Sequence, residues 1–378
     1  MSIIALLWAN AIKFVFYYPL FMSYLWMVGA IIFYWKERQD PPYQQPAALP
    51  EYPKVAVLVP CFNEGDNAEE TISHALKLDY PNFEVIAIND GSSDNTGEVL
   101  DRLAAQHEKL RVVHLAQNQG KAMGLQAGSL MTDAEFLIGI DGDALLDPHA
   151  AQWMMHHFLE DSTVAAVTGN PRIRTRSTLL GRIQVGEFSS IVGMIKRAQR
   201  TFGRLFTVSG VITALRKSAV HQVDYWSPNM LTEDIDITWR LEKRHWDIRY
   251  EPRAVVWMHV PDTLRDFFKQ RLRWAKGLLQ VLRAHSDVMK NRHLRRMWPM
   301  YIESCLSTFW NTAYGFVLII ELIIAPYDTS IFSINIFWMM VMATTSLLQL
   351  FIGGMLERKH DKDIFRFFGY ALRLCNYL

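Results

Sequence analysis

The chain has 378 residues, half of them hydrophobic, and its 39 Lys and Arg are nearly matched by 38 Asp and Glu. That balance argues against a nucleic-acid binder, which carries a basic excess, and the length suits one large domain with room for a membrane region. Cys61, Cys305 and Cys375 have no metal-ligand spacing and predict neither disulfides nor zinc.

Residues 14–35, FVFYYPLFMSYLWMVGAIIFYW, carry no charge and are long enough to cross a bilayer. No basic region precedes a short apolar core and no small-residue cleavage site follows, so this is a span rather than a signal peptide. The segment 1–40 is therefore expected to be membrane-embedded. The Pro-rich stretch 41–53, PPYQQPAALPEYP, is expected to be a linker.

An alternation follows. KVAVLVP (54–60), FEVIAIND (83–90), RVVHL (111–115), EFLIGID (135–141) and VAAVTG (164–169) are short Val- and Ile-rich runs that predict strands. NAEETISHALKL (67–78), TGEVLDRLAAQH (96–107) and GKAMGLQAGSLM (120–131) predict the helices between them, the first with Asn67 and Glu70 spaced as a capping box. The pattern predicts an α/β domain over 54–260, its sheet parallel and covered by helices on both faces.

In such sheets ligands sit beyond the carboxyl ends of the strands. Those ends here read PCFNE (60–64), NDGSSD (89–94) and DGD (141–143), so three strands deliver acidic or amide groups to one edge. No GxGxxG follows the first strand and no P-loop occurs. Asp141 and Asp143, separated by Gly142, form a repelling pair unless something neutralises them. A hard divalent cation, Mg²⁺ or Mn²⁺, completed by substrate phosphates, fits that demand. The plainer alternative is an Asx-type turn closing the strand.

Further along, NMLTEDIDITWRLEKR (229–244) sets Thr232, Glu233 and Asp234 at a helix start, where acids are also favoured by the dipole alone. DTLRDFFKQRLRWAKGLLQVLRAH (262–285) is basic and amphipathic, and 261–297 is expected to lie along a membrane surface. His259 reads as structural before it reads as a ligand. Arg172, Arg174 and Arg176 form an alternating basic strip, either a solvated edge or a phosphate or polymer contact. Two more apolar spans, 305–325 and 331–356, make 298–378 a membrane region. The last run, 364–378, is too short to span, and reads either as an interrupted segment or as an interfacial helix. Lys36, Arg38, Lys290, Arg292, Arg295, Arg296, Arg358, Lys359 and Lys362 flank the spans on one side, which puts residues 36–300 in the cytoplasm.

The ordered set VPCFNE, NDGSSD, DGD, TED (232–234) and QRLRW (270–274) resembles the family 2 glycosyltransferases of the GT-A fold, in particular the processive membrane synthases of cellulose, hyaluronan, chitin and poly-β-1,6-N-acetylglucosamine. The stretches 168–219, 116–122 and 225–239 look most like the catalytic subunits of bacterial poly-N-acetylglucosamine synthases. The resemblance implies a Rossmann-like GT-A domain flanked by transmembrane helices in the inner membrane, taking UDP-GlcNAc and a growing polysaccharide acceptor. It implies that Pro60, Phe62, Asn63, Glu64, Asp90 and Lys121 shape the uridine pocket, and that Asp141 meets the ribose or phosphate side. Asp143, with Asp141, would hold the metal, and Asp234 would be the base, supported by Glu233. Gln270 and Arg273 would contact the diphosphate, and Trp274 with Thr232 the acceptor. A small membrane subunit is the partner it suggests. Hyaluronan-, chitin- or cellulose-type synthesis and a polyprenyl-phosphate sugar transferase are the rival readings.

Overall fold

The computed structural model describes residues 3–37, 45–324 and 330–365. The run 366–378, the larger part of the short C-terminal segment, lies outside them.

Among the described residues, eight strands form one sheet: β1 (Val55–Cys61), β2 (Phe83–Asp90), β3 (Leu110–Leu115), β4 (Phe136–Ile140), β5 (Leu145–Leu146), β6 (Val164–Ile173), β7 (Ile212–Arg216) and β8 (Asp247–Met258). Their spatial order is β3-β2-β1-β4-β7-β6-β8-β5. All eight residues of β2 and all ten of β6 are buried, as expected of strands covered on both sides. Side chains alternate across β1. Val55, Val57 and Val59 join one core with Ile72, Leu100 and Met154, whereas Ala56 and Leu58 join another with Leu125 and Ile237. Those partners come from α2 (Ala68–Ala75), α3 (Thr96–Ala104), α4 (Lys121–Leu130), α5 (Ala150–Glu160) and, beyond α6 (Leu179–Phe188), α7 (Ile195–Phe202) and α8 (Lys217–Gln222), from α9 (Glu233–Lys243).

Two expectations are corrected. The sheet is not wholly parallel: β4 and β6 point the same way, but β7 runs antiparallel between them, and β5 runs antiparallel to β8. The crossover through α5 leaves a one-strand gap beside β4, and the chain fills it on its way back from α7. The capping box does not form either. The backbone N–H groups of Asn67 and Ala68 donate to the Glu64 carbonyl at 2.9 and 2.8 Å, which already closes that turn. Asn67 Nδ2 donates to Glu64 Oε2 at 2.9 Å, and Glu70 is engaged by Arg174 at 2.7 Å.

Among the described residues, three helices are long and apolar enough to cross a membrane: Trp8–Glu37 within α1 (Ile3–Glu37), Arg292–Ile323 across a 3-10 turn and α11 (Trp298–Ile324), and Ile336–Glu357 within α12 (Ser330–Glu357). The domain is seated on these helices. Thr201 of α7 donates to the Gly29 carbonyl at 2.9 Å, and Trp26 meets Phe202 with centroids 6.4 Å apart. At the end of α12, Glu357 is fully buried, accepts from Asn170 Nδ2 at 2.7 Å and pairs with Arg197, while Asp361 pairs with Arg172 at 3.2 Å. Between the domain and α11 lies α10 (Leu264–Ala284), along which Leu264, Phe268, Leu272 and Leu279 are exposed.

Candidate functional site

The carboxyl ends of β1, β2 and β4 converge as the chemistry requires. The loop after β1 and the loop after β2 are stapled together. Asn63 N–H donates to Ser92 Oγ at 3.0 Å, Ser93 N–H to Asn63 Oδ1 at 2.9 Å, and Gly65 N–H to Asp94 Oδ2 at 3.0 Å. Gly91 lets the loop after β3 pack against this pair, because its φ is +64° and a Cβ there would lie 2.4 Å from the Gln117 carbonyl carbon. Asp90, 3% exposed, accepts from the backbone N–H of Gln119 and of Gly120, each at 2.8 Å. Each oxygen keeps a further lone pair for a ligand.

A cleft of about 260 Å³ opens at this edge, lined by Pro60, Cys61, Phe62, Glu64, Asp90, Lys121, Asp141, Gly142 and Asp143. Asn63 is not part of the lining; it holds the two loops together instead. Lys121 opens α4, and its Nζ donates to Asp141 and to the Gly210 carbonyl at 2.8 Å, with Glu233 Oε1 3.8 Å away. Gly210 N–H points on to Asp234 Oδ2 at 3.3 Å. One lysine therefore ties the DGD turn to the start of α9 through a loop that sequence reasoning did not single out. The glycines at 203 and 210 that bracket this loop were the available signal.

The electrostatics mark the same place. Burial pushes the Asp143 carboxyl up to about 7, with Asp141 and Glu64 adding to it. Burial also raises Glu64, against the hydrogen bond from Asn67, and raises Glu233, against Lys121. Burial would depress Lys121, but Asp141 and Glu233 outweigh it and hold the ammonium charged. A second lysine was missed altogether: Lys196 on α7 is buried, donates to Thr168 Oγ1 at 3.2 Å and is pulled down to about 7 by that burial, with Asp234 acting against it.

The residues of α10 stand apart from this lining. Gln270 Oε1 is buried without a hydrogen bond, and Arg273 is exposed. Trp274 packs beside Ile173, Val185, Phe188, Met258 and Val260, with the Arg271 guanidinium 4.3 Å over its ring. The helix meets the TED segment at Gly277, where a Cβ would lie 2.4 Å from Thr232 Cγ2. Thr232 is 5% exposed and its hydroxyl has no hydrogen-bond partner, so it wedges two helices together rather than facing the cleft.

The basic strip is likewise corrected. Arg172 is 1% exposed and faces Glu357 and Asp361, Arg174 pairs with Glu70 and Arg176 with Asp361. Arg172 and Arg176 hold structure together, while Arg174 keeps a partly exposed pair at the surface. His259 Nδ1 meets Thr175 Oγ1 at 3.2 Å. No group of three or more His, Cys, Asp or Glu poised around a cation occurs among the described residues. The oxygen pair Asp141 and Asp143, one of them hard to ionise unaided, still suits an ion that takes the rest of its shell from water and phosphate.

A strand-edge cleft with a DGD turn, beside a helix opening on acids, is the layout of a nucleotide-sugar transferase. The family described as "Glycosyltransferase like family 2" matches residues 53–277, and the chain belongs to that family. It is 40% identical over 304 residues to a poly-β-1,6-N-acetyl-D-glucosamine synthase of Staphylococcus aureus (strain MSSA476), covering 79% of this chain and 73% of that protein. It is 36% identical over 362 residues to the synthase of the same name from Staphylococcus epidermidis (strain ATCC 35984), covering 93% and 87%. Among solved structures, the mannosyltransferase PcManGT from Pyrobaculum calidifontis, in complex with GDP-Man and Mn²⁺, superposes with a TM-score of 0.66 at 19% identity, covering 92% of this chain and 98% of that one. That likeness establishes the GT-A fold. Family membership makes the chain a glycosyltransferase, with a nucleotide-sugar donor and a glycan acceptor.

Proposed function

We propose that this enzyme transfers N-acetylglucosamine from UDP-GlcNAc to a growing β-1,6-linked poly-N-acetylglucosamine chain, with inversion, and passes the product between its own membrane helices. The observation that carries the reading is the 36% identity to a synthase of that product over 93% of the chain, which takes in the membrane helices as well as the catalytic domain. The basic residues flanking the three candidate spans support a catalytic domain on the cytoplasmic side of a bacterial inner membrane, where UDP-sugars are made.

Each residue then has a chemical task. Asp90, Pro60, Phe62 and Glu64 cradle the uridine, and Asn63 fixes the loops that carry them. Asp141 and Asp143 fit a divalent cation, Mg²⁺ or Mn²⁺, and such an ion supplies charge neutralisation to the departing diphosphate. Asp234 accepts the proton of the acceptor hydroxyl as its oxygen bonds to the anomeric carbon and the bond to diphosphate breaks. Glu233 and Lys121 hold the charge balance around it. Gln270 and Arg273 reach the diphosphate once α10 closes on a bound donor, the arginine as a bidentate fork. Trp274 offers a ring face to the acceptor sugar, and Thr232 seats the TED segment against α10 beside it. A small membrane subunit completes the export path.

The test is incorporation of labelled GlcNAc from UDP-GlcNAc by membranes containing the chain, with and without Mg²⁺ or Mn²⁺, and with a candidate small subunit added. Polymer cut by a β-1,6-specific hydrolase and resistant to β-1,4 enzymes is expected, falling about 10²–10⁴-fold in Asp234→Asn. A β-1,4-linked product would replace this reading with another synthase of the family. UDP release without polymer would replace it with transfer to a lipid-linked acceptor.

A further inference from the structure

A second cavity, about 530 Å³, lies outside the catalytic cleft and is lined by His245, Arg292, His293, Arg295 and Arg296. Three guanidiniums and two imidazoles converge there, and no carboxylate lines the space. Asp287, the acid of the preceding turn, is engaged by Lys243 at 2.7 Å.

Basic residues ahead of a span are common for topological reasons alone, but those project separately into water. Here the backbone gathers them. The 3-10 turn Arg292–Met297 is fixed at its start by Asn291, whose side chain accepts from His293 N–H at 3.0 Å. Its Leu294 and Met297 enter a core with Trp239, Val281, Leu282 and Val288, which leaves positions 292, 293, 295 and 296 on the outer side. The fifth lining residue comes from elsewhere. His245 follows α9 with φ +65°, its N–H donating to the Glu242 carbonyl at 2.9 Å, and that left-handed turn brings it to the same cavity. The turn leads straight into Trp298 and α11, so the cavity sits where the chain enters the bilayer.

We propose that this cavity is a binding site for a phosphate-bearing anion, bridging the end of α9 and the entry of α11. Guanidiniums in a concavity favour the paired geometry of phosphate oxygens, the volume is that of a small-ligand site, and its height at the membrane surface makes an anionic lipid headgroup the favoured source. Lysine would keep the surface attraction but not the paired guanidinium geometry, so the two substitutable features of the site are separable.

The full chain would be placed in nanodiscs of phosphatidylcholine doped with phosphatidylglycerol, extracted gently, and the retained lipid counted by native mass spectrometry. Wild type is expected to retain phosphatidylglycerol, and the triple variant Arg292→Lys, Arg295→Lys, Arg296→Lys, which keeps the charge and hence the topology, to lose it at least ten-fold. His245→Gln tests the contribution from α9 without touching the flank of the span and should weaken retention several-fold. A parallel arm titrates inorganic phosphate into phosphatidylcholine nanodiscs, followed by ³¹P NMR line broadening. Phosphate binding there, abolished by the lysine triple variant and unaccompanied by lipid retention, would support the site and assign it to a soluble phosphate. Equal retention in wild type and all variants, with no phosphate binding, would overturn the proposal.

Discussion

Replacing Lys121 by Met tests the idea that one ammonium organises the acidic edge. Its Nζ donates to Asp141 and to the Gly210 carbonyl and lies 3.8 Å from Glu233 Oε1. For two unit charges at that separation, Coulomb's law gives about 4 kcal/mol at an effective dielectric of 20 and about 1 kcal/mol in bulk water. The site is half-buried, so the loss lies between these limits, a fall of about 5- to 10³-fold in kcat/KM. The same change removes a cation that competes for Asp141, so divalent metal should bind the variant more tightly while transfer falls. The assay is initial-rate UDP release across a Mn²⁺ titration, with metal affinity measured separately by calorimetry. Unchanged turnover together with unchanged metal affinity would refute the reasoning, because it would mean that Asp141 and Glu233 do not depend on this charge.

Three further outcomes follow from the packing. Glu357→Gln leaves Arg172 and Arg197 buried with less charge to meet, at a cost of about 3–5 kcal/mol; detergent-solubilised variant should aggregate at a clearly lower temperature than wild type, and an unchanged midpoint would sink the claim. Gly277→Ala drives a Cβ into Thr232 at 2.4 Å, and relief by shifting the TED segment costs about 1–3 kcal/mol; transfer should drop about 5- to 10²-fold while the exposed neighbour Lys276→Ala stays near wild type, and equal activity in both would argue against contact-driven placement. Glu251 is buried, yet hydrogen bonds from Arg253 and His157 overcome that burial and hold its carboxyl down at about 2. A carboxyl depressed on folding stabilises above its unfolded value and loses that stability as pH falls. The difference in stability between wild type and Glu251→Gln should therefore shrink by about 3 kcal/mol between pH 4.5 and 2, followed by tryptophan fluorescence, and a constant difference would contradict the assignment.

Five strands, β1 to β4 and β6, and the cleft were legible because their signals are local, whereas β5, β7 and β8 were not singled out. A Val- or Ile-rich run such as 55–59 can hardly be anything but a buried strand, and an Asp or Asn at its carboxyl end must face the ligand edge whatever the rest of the chain does. The contacts that escaped are those without local pattern. The reversed strand β7 is five ordinary residues whose direction depends on the gap beside β4. Arg172 looks solvated in sequence because its acid, Asp361, is 189 residues away. Gly210 marks a loop in sequence, but its role shows only when Lys121 and Asp234 are seen on either side of it. The likeness of five spaced motifs to a known family supplied the roles on α10, which burial and distance within the described residues do not by themselves assign.

The pairing of Arg197 with Glu357 also orders events at the ribosome. The two residues are 160 positions apart, so at about 5–20 residues per second the arginine is made roughly 10–30 seconds before its acid. During that interval the nascent domain holds an interior cation met only at 4.0 Å by Glu37 of α1 and not yet by its nearest acid, and a fully closed α/β fold is disfavoured. Closure becomes favourable once α12, long and apolar enough to cross a membrane, presents Glu357 from its end. Maturation of the catalytic domain thus waits on α12, and a chain cut short before Glu357 should be left open to proteases instead of accumulating as a free transferase.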